Sequence, residues 1–507
     1  MSATSSRSAI HSQAMCRIHE QLLTRLCAAL APSQRAAVQL LAQRVRIAAG
    51  GGGNLGRFRV LVGCTGGKDS LQALAFLRAA QLNIARSHPR TFILRVALCR
   101  PAGAHPQAFD NLMRACDALF LQEDHRVELL LHEGQELTLL GAADAPPAPN
   151  EAAEVQVKGE PLDERLNLLV SGHLSGGNER VMFGNGHYLA MAATCQRALA
   201  WGGQVGAMVV AEPPRRLRHY LAWGLRAARQ AGLPAHAGNL MAALEGLADA
   251  YYRELHGRPI PPPSGLAAGA RAAVELIGLH DVLEGHSPEH WRLLTDFLGY
   301  RYLGLDSACH ELDSARPSLL AHLHGLRCEY LRGKGYPRGV HDYLRAAVPL
   351  LRSRGMPEAW IRRSLAEWHG DSGTAEQRAL ANQDALAGYG IDEGQWVCML
   401  FAPFVGHGAG LKHYLQVCHP QRLPALAELH GALQGQPATA RSRAWLTAVS
   451  GLSAATLRRL YHLPALAQRD GRPSLLAGLL ASDPQRYLRP PAPLTGPAVR
   501  DLIAGRS

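Results

Sequence analysis

The fold is decided by one short stretch, VLVGCTGGKDSLQALA at residues 60–75. Its first residues are apolar and β-branched, which indicates a buried strand, and the residues from Asp69 onward have the apolar spacing of a helix. A glycine-rich turn between a strand and a helix brings backbone N–H groups and the positive end of the helix dipole together, an arrangement that suits a phosphate group. The stretch therefore predicts a phosphate-binding loop at the end of a parallel strand.

The alternation of strand and helix continues beyond this stretch. The sequence predicts strands at 57–64, 91–99, 126–132, 180–188 and 205–212, with helices at 69–80, 107–119, up to 201 and at 216–232. Alternating strands and helices of this kind predict an α/β fold with a parallel sheet covered by helices on both faces.

The α/β region spans 56–235, and three other segments differ from the rest of it in composition or in the spacing of their apolar residues. Residues 1–55 predict a helical N-terminal extension that ends in the glycine-rich GGGGN. Residues 141–165 are rich in proline, alanine and acidic residues, which predicts a mobile insertion. From about 236 the apolar spacing is helical throughout, so residues 236–507 predict an all-helical second domain.

Composition limits the class of protein and its partners. The 507 residues are 47% hydrophobic and 19% charged, which is ordinary for a globular protein of two or three domains. The formal charge of +12 favours a polyanionic partner such as nucleic acid. However, lysine occurs only at Lys68, Lys158, Lys334 and Lys412, so the arginine excess also fits a compositional bias.

The cysteines and the hydropathy pattern indicate in which cellular compartment the protein is expected. None of the ten cysteines forms a C-x-x-C pair, which argues against a disulfide scaffold, a zinc ribbon or an iron–sulfur site. Free thiols favour a reducing compartment, and we expect a cytoplasmic protein. The chain has no apolar run of 18 residues, so we expect no membrane span.

The spacing within the loop excludes two common phosphate-binding motifs. A Walker A loop has four residues between its glycines and a Ser or Thr after its lysine. Here only three residues separate Gly63 from Gly67, and Asp69 follows Lys68. The dinucleotide motif G-x-G-x-x-G is also absent.

The segment Thr65-Gly-Gly-Lys-Asp-Ser70 resembles the SGGxDS loop of the PP-loop ATP pyrophosphatase superfamily, with threonine in place of the first serine. The resemblance implies a HUP-like nucleotide-binding domain that cleaves ATP between its α and β phosphates and forms an adenylated intermediate. It implies that Thr65, Gly66, Gly67, Lys68, Asp69 and Ser70 bind ATP. Lys68 and Asp69 would then take part in catalysis, and Asp69 would bind Mg²⁺.

Two later segments resemble other signatures of the same superfamily. Residues 183–203 resemble a strand that ends in Gly-His and leads into a helix, and residues 209–234 resemble the closing segment. Asn185 is then expected to bind the nucleotide or to hold the bend of the turn. His187 is expected to contact the α-phosphate or to cap its helix, and Arg216 to contact phosphate or to remain solvated at a helix start.

This chain departs from the superfamily pattern at one place. Members of the superfamily often carry two aspartates just after Gly-His, whereas Tyr188, Leu189 and Ala190 stand here. Either Mg²⁺ depends on Asp69 and the phosphate oxygens alone, or another carboxylate substitutes. Glu212 is the best substitute, because it follows a strand at the edge where open α/β sheets bind ligands.

The resemblance implies an activity and implies that the second domain, residues 236–507, selects the substrate. It leaves the acceptor open. Sulfur-inserting and nitrile-forming members carry cysteine motifs that this chain lacks. We therefore expect an ATP-dependent enzyme that adenylates a substrate oxygen for attack by a nitrogen nucleophile, as in an amide-forming ligase acting on a small molecule. One alternative is a tRNA-modifying enzyme of the thiolation or lysidine type, favoured by the basic helical half. Another is a non-catalytic nucleotide sensor.

Overall fold

The structure is a computed structural model of the chain. It describes residues 2–88, 90–100, 102–133, 136–140, 162–212, 214–236, 240–256, 274–283, 288–309 and 315–464. Most of the insertion expected at 141–165 lies outside the described residues; its last four residues begin a helix.

The described strands form one six-stranded sheet. They are β1 (Arg59–Cys64), β2 (Ile93–Cys99), β3 (Val127–Glu133), β4 (Glu136–Leu139), β5 (Ala207–Val210) and β6 (Glu275–Gly278). Their order is β4-β3-β2-β1-β5-β6, and every neighbouring pair is parallel except β3 with β4. The fold is therefore α/β with a mostly parallel sheet, as the sequence predicts.

Helices account for most of the remaining described chain. Before and within the sheet region they are α1 (Ser2–Ala29), α2 (Pro32–Ala48), α3 (Lys68–Ser87), α4 (Pro106–Ala118), α5 (Leu162–Ser175), α6 (Glu179–Met182), α7 (Gly184–Ala200), α8 (Pro214–Gln230), α9 (Leu240–His256), α10 (His280–Leu283) and α11 (Pro288–Arg292). The later helices are α12 (Pro317–Arg332), α13 (Tyr336–Ser353), α14 (Glu358–Glu367), α15 (Gly370–Tyr389), α16 (Glu393–Phe401), α17 (Leu411–Cys418), α18 (Leu426–Leu433), α19 (Ala440–Ser450) and α20 (Ala454–Tyr461).

Short turns of other helical types connect these elements. There are 3₁₀ turns at Gly52–Arg57, Gly304–Ala308, Gly406–Gly408 and Pro420–Ala425, and a π-helical turn at Leu293–Phe297. No helix in the part of the chain that the structure describes combines the length and apolar character needed to cross a bilayer.

One strand prediction is wrong. Residues 180–188 belong to α6 and α7 rather than to a strand, so the pair Gly186-His187 lies inside a helix. The reason lies in packing, because Val181, Phe183 and Leu189 are all buried in the helical core. A short apolar run of this length fits a buried helix as well as a buried strand, and local spacing does not separate the two.

Two strands were not predicted. The strand β4 turns back from β3, and β6 lies inside the segment 236–507, so the expectation of an all-helical segment is wrong at this point. β6 has only four residues, of which Ile277 alone is buried. So short a strand gives almost no period-2 signal.

Most of the buried hydrophobic side chains belong to two large clusters, beside which there are two small ones. The first contains the sheet with α1–α4 and also receives Ile277, Trp291 and Leu298. The second contains the helices from 305 onward and also receives Val170 of α5 and Trp223 of α8. Helices from before and after residue 235 therefore share one core.

The strand order creates a crevice at the carboxyl edge of the sheet. From β1 the chain adds β2 and β3 on one side, whereas β5 and β6 lie on the other side. The connection after β1 leads to β2 on one side of the sheet, whereas the connection after β5 leads to β6 on the other side. Such a reversal is called a switch point, and open α/β sheets bind ligands there. The loop after β1 lies at this switch point.

Candidate functional site

The loop Thr65–Gly67 joins β1 directly to the N-terminus of α3. The helix begins at Lys68 with Gly67 as its N-cap, at φ −74° and ψ 160°. Because glycine has no side chain, the N-cap offers no side-chain acceptor to the N–H groups of the first turn. A 20-residue helix with such a start directs its positive dipole end and its N–H donors toward the crevice, which favours an anion.

The two glycines of the loop are needed for different reasons. Gly66 has φ +82°, and a Cβ placed on it would lie 2.0 Å from the carbonyl oxygen of Ala108 in α4. Gly66 is therefore required by the backbone and by the close approach of α4. A Cβ on Gly67 would meet only Thr65 Oγ1, at 3.5 Å. Packing within the protein does not require glycine at 67, so the space beside it is available to a ligand.

Lys68 and Asp69 form an ion pair at the start of α3. Lys68 Nζ lies 2.6 Å from Asp69 Oδ1, and the lysine side chain is fully buried while the aspartate is 20% exposed. A buried ammonium needs a charged partner, so Asp69 neutralises Lys68. The structure thus brings these two predicted residues together and leaves Asp69 as the more accessible of the pair.

The hydroxyl of Ser70 is used within the loop. It is buried and donates to the carbonyl oxygen of Gly67 over 3.1 Å. This bond stabilises the first turn of α3, so in this structure Ser70 supports the loop.

The helix α7 places two further predicted residues at the same edge. Arg95, near the start of β2, donates to the carbonyl oxygens at the C-terminal end of α7, and His132, near the end of β3, contacts Arg197 at 3.0 Å. The helix therefore runs antiparallel to the strands and directs its N-terminus toward the carboxyl edge. Asn185 and His187 lie in its first turn, not in a bend after a strand, and their side chains are outside the described residues.

The segment after β5 approaches the loop from the other side of the switch point. Val209 of β5 pairs with Val62 of β1, and β5 ends at Val210, so Glu212 is the second residue after this strand, as Gly66 is the second residue after β1. Glu212 is half-buried. Arg216 is the third residue of α8, and its side chain lies outside the described residues.

Residues of the helical part cover this edge, and sequence reasoning missed them. Burial raises the pKa of Tyr300, and the charges of Cys309, Asp69 and Asp306 raise it further. The Tyr300 hydroxyl therefore lies within electrostatic range of both Asp69 and Asp306. Arg316 Nη1 donates to Asp306 over 3.2 Å. No local motif marks these side chains, because only tertiary packing brings them to the loop.

His105 is the N-cap residue of α4 and lies within electrostatic range of Asp306 and Arg316. Its Nδ1 accepts from the backbone N–H of Gln107 over 3.2 Å, so the neutral ring carries its proton on Nε2. Burial lowers the pKa of His105, while the nearby charges of Asp306, Arg316 and Asp384 oppose one another. The ring is therefore neutral at pH 7 and can donate one hydrogen bond from Nε2.

No family model, no curated protein and no solved structure matches this chain. The functional argument therefore depends on the loop, on its place in the sheet and on the side chains around it.

The carboxylates at this edge suit a magnesium ion that is held partly by phosphate. Asp69 and Glu212 follow neighbouring strands and supply oxygen ligands, which Mg²⁺ prefers. Among the described residues, no group of three or more His, Cys, Asp or Glu side chains is arranged to hold a metal. Mg²⁺ commonly binds through one or two carboxylates together with substrate phosphates and water. The donors present fit that arrangement.

Proposed function

We propose that the chain is an ATP-dependent enzyme of the PP-loop type, which binds ATP with Mg²⁺ at Thr65–Ser70 and adenylates a substrate oxygen. The observation that supports this most strongly is the position of the loop, between a parallel strand and the N-terminus of a 20-residue helix at the switch point of the sheet. The five parallel strands follow the order β3-β2-β1-β5-β6, which is typical of doubly wound nucleotide-binding sheets. A HUP-like domain is the form of this fold that we propose.

The reaction that we propose transfers AMP and then displaces it. A substrate oxygen attacks the α-phosphorus of ATP, the bond from that phosphorus to the bridging oxygen breaks, and pyrophosphate leaves with the electron pair. A nitrogen nucleophile then attacks the activated carbon, loses its proton and releases AMP. The N–H groups at the start of α3 hold the departing phosphates. Bound Mg²⁺ supplies charge neutralisation on the phosphate oxygens, and Asp69 is its first ligand in this proposal.

We propose that the residues next to the carboxyl edge of the sheet select the acceptor. Tyr300 lies within electrostatic range of Asp69 and Asp306, Asp306 accepts from Arg316, and Gly388 of α15 lies against Gly103. Our first choice of acceptor is a small molecule, which makes the enzyme an amide-forming ligase. A tRNA-modifying enzyme of the same superfamily is the second candidate, because the charge of +12 favours a polyanionic acceptor.

Incubation with ATP, Mg²⁺ and acceptor is expected to produce AMP and pyrophosphate rather than ADP and phosphate. The reason is that the loop spacing differs from a Walker A loop and matches the pyrophosphatase type. Chromatography of the nucleotide products after incubation with pools of carboxylic acids and amines, or with tRNA, measures this directly. ADP as the main product would refute the proposed class. ATP binding with no turnover in any pool would favour a nucleotide sensor instead.

Replacing Asp69 with asparagine is expected to reduce turnover on the order of a hundredfold or more, because Mg²⁺ loses its carboxylate at the loop. The fully buried Lys68 would also lose its counter-charge, so stability must be measured in parallel by urea unfolding without nucleotide. Asp110→Asn on α4 is the matched control, since it makes the same chemical change at a half-buried site near the loop. A folded Asp69→Asn enzyme with unchanged turnover would remove Asp69 from the site.

A further inference from the structure

A second cavity lies at the opposite, amino edge of the sheet. It has a volume of about 390 Å³ and is lined by Gly53, Asn54, Gly56, Arg57, Phe58 and Arg90. These residues belong to the 3₁₀ turn before β1 and to the segment before β2. Since β1 has six residues, about 20 Å of strand separates this cavity from the loop Thr65–Gly67. The two sites are therefore distinct.

The cavity carries positive charge that no described carboxylate neutralises. Arg57 and Arg90 are exposed, and no described aspartate or glutamate forms an ion pair with either of them. The neighbouring Arg59 differs, because its Nε lies 3.1 Å from Glu128. Two arginines without a described carboxylate partner therefore line the cavity.

The backbone around the cavity positions one of these arginines. A Cβ placed on Gly56 would lie 2.8 Å from Arg90 Cδ and 3.2 Å from Arg90 Cβ, so the stem of Arg90 lies across Gly56. The half-buried Arg46 of α2 donates to Ser87 Oγ at the end of α3 over 3.2 Å, next to the exposed Arg86, so these two arginines lie together at the ends of the two helices. Neither of them has a described carboxylate within ion-pair distance.

We propose that this cavity, with its flanking arginines, binds phosphate groups of an RNA strand. Four arginines along an open surface suit a series of phosphates better than one small anion, because each phosphate contact releases counterions and adds to the affinity. Phe58 also lines the cavity, but its ring packs against Gly206 and the core, so the site is expected to contact the phosphate backbone of the RNA rather than its bases. The site does not depend on the activity proposed for the loop.

The test uses the full chain and a fluorescein-labelled single-stranded RNA, with anisotropy titrations at several KCl concentrations. The double variant Arg57→Ala/Arg90→Ala is expected to bind the RNA roughly tenfold more weakly at low salt. The slope of log affinity against log salt is expected to fall by about 1.4, since each contact to a single strand contributes about 0.7. Both side chains are exposed, so the variant is expected to fold, and its unfolding curve checks this.

A matched control separates the site from the general charge of the protein. Arg441→Ala/Arg443→Ala removes two exposed arginines from α19 and is expected to change the affinity and the slope far less. Equal losses in the two double variants would overturn the proposal, because RNA binding would then follow net charge alone. An unchanged slope in Arg57→Ala/Arg90→Ala would overturn it as well.

Two further variants test the geometry and the independence of the site. Gly56→Ala keeps every charge but displaces Arg90, so the slope is expected to fall by about 0.7. Asp69→Asn is expected to leave RNA binding unchanged, because the loop lies at the other edge. Displacement of the RNA by inorganic phosphate at constant ionic strength would identify a small-anion site and overturn the RNA assignment.

Discussion

Replacing Gly67 with alanine is expected to weaken binding of ATP with Mg²⁺ on the order of a hundredfold while leaving the fold intact. The added methyl group meets only Thr65 Oγ1, at 3.5 Å, which is an ordinary contact. The backbone at Gly67 has φ −74°, which alanine adopts without strain. The methyl group would instead occupy the space that the phosphates need, and would move them away from the N–H groups at the start of α3. Isothermal titration calorimetry measures the affinity, and urea unfolding measures the stability.

Two other glycines make this test specific. Gly202→Ala places its methyl group in open space away from the loop, so both affinity and stability are expected to stay unchanged. Gly66→Ala is expected to lower both, because its Cβ would lie 2.0 Å from Ala108 O and its φ is +82°. If Gly67→Ala binds ATP as tightly as the unmodified protein, the phosphates do not lie against this loop.

The part of the site that could be predicted from the sequence is the part formed by neighbouring residues. β1, the loop and α3 are continuous in the chain, so spacing, glycines and the helix start all report on the same local structure. For this reason the strand predicted at 57–64 and the helix predicted at 69–80 correspond to β1 (Arg59–Cys64) and α3 (Lys68–Ser87), although the helix is longer than predicted. The parallel strands β2, β3 and β5 were predicted as well, because each is a short run made mostly of apolar residues, although β2 contains Arg95 and β3 contains Glu128.

The parts that could not be predicted depend on contacts between distant segments. Residues 180–188 are helical because Val181 and Phe183 pack into the helical core, which their local spacing does not reveal. Tyr300 lies more than 200 residues from Asp69 in the chain, so only the tertiary fold brings its ring within electrostatic range of that carboxylate. The ion pair of Lys68 with Asp69 was also unexpected, since sequence alone does not tell which side chain is buried.

The second large effect is expected on stability and involves a buried charge cluster far from the candidate site. Asp124, just before β3, is fully buried and accepts from Arg78 over 2.8 Å and from Arg126 over 2.6 Å. His19 of α1 contacts the same carboxylate at 3.0 Å. Arg78 is itself fully buried, and it also donates to the carbonyl oxygens of Leu119 and Phe120. The cluster joins α1, α3 and β3.

Replacing Asp124 with alanine is expected to lower the free energy of unfolding by about 3–5 kcal/mol, because the guanidinium of Arg78 would remain buried without its counter-charge. Asp342→Ala is the matched control. It removes an aspartate from the exposed pair of Arg338 with Asp342, and exposed pairs contribute about 1 kcal/mol or less. Urea unfolding followed by circular dichroism measures both variants. A loss below about 1 kcal/mol in Asp124→Ala would show that the cluster does not stabilise the fold.

The same cluster predicts how stability depends on pH. Burial alone would raise the pKa of Asp124, but hydrogen bonds from Arg126 and His19 and the charge of Arg78 outweigh it and hold the pKa well below its usual range. Because the pKa is lower in the folded state, this stabilisation is present above the unfolded value of about 3.9 and is lost as the pH falls below that value. Asp124→Asn removes the titration of this carboxyl group, so the free energy of unfolding of the variant is expected to vary less between about pH 4 and pH 2.

A double variant tests the role of the buried charge. Adding Arg78→Met to Asp124→Ala removes the uncompensated charge as well, and is expected to restore part of the lost stability. Equal acid sensitivity in the Asn variant, or no recovery in the double variant, would assign the stabilisation to packing rather than to charge.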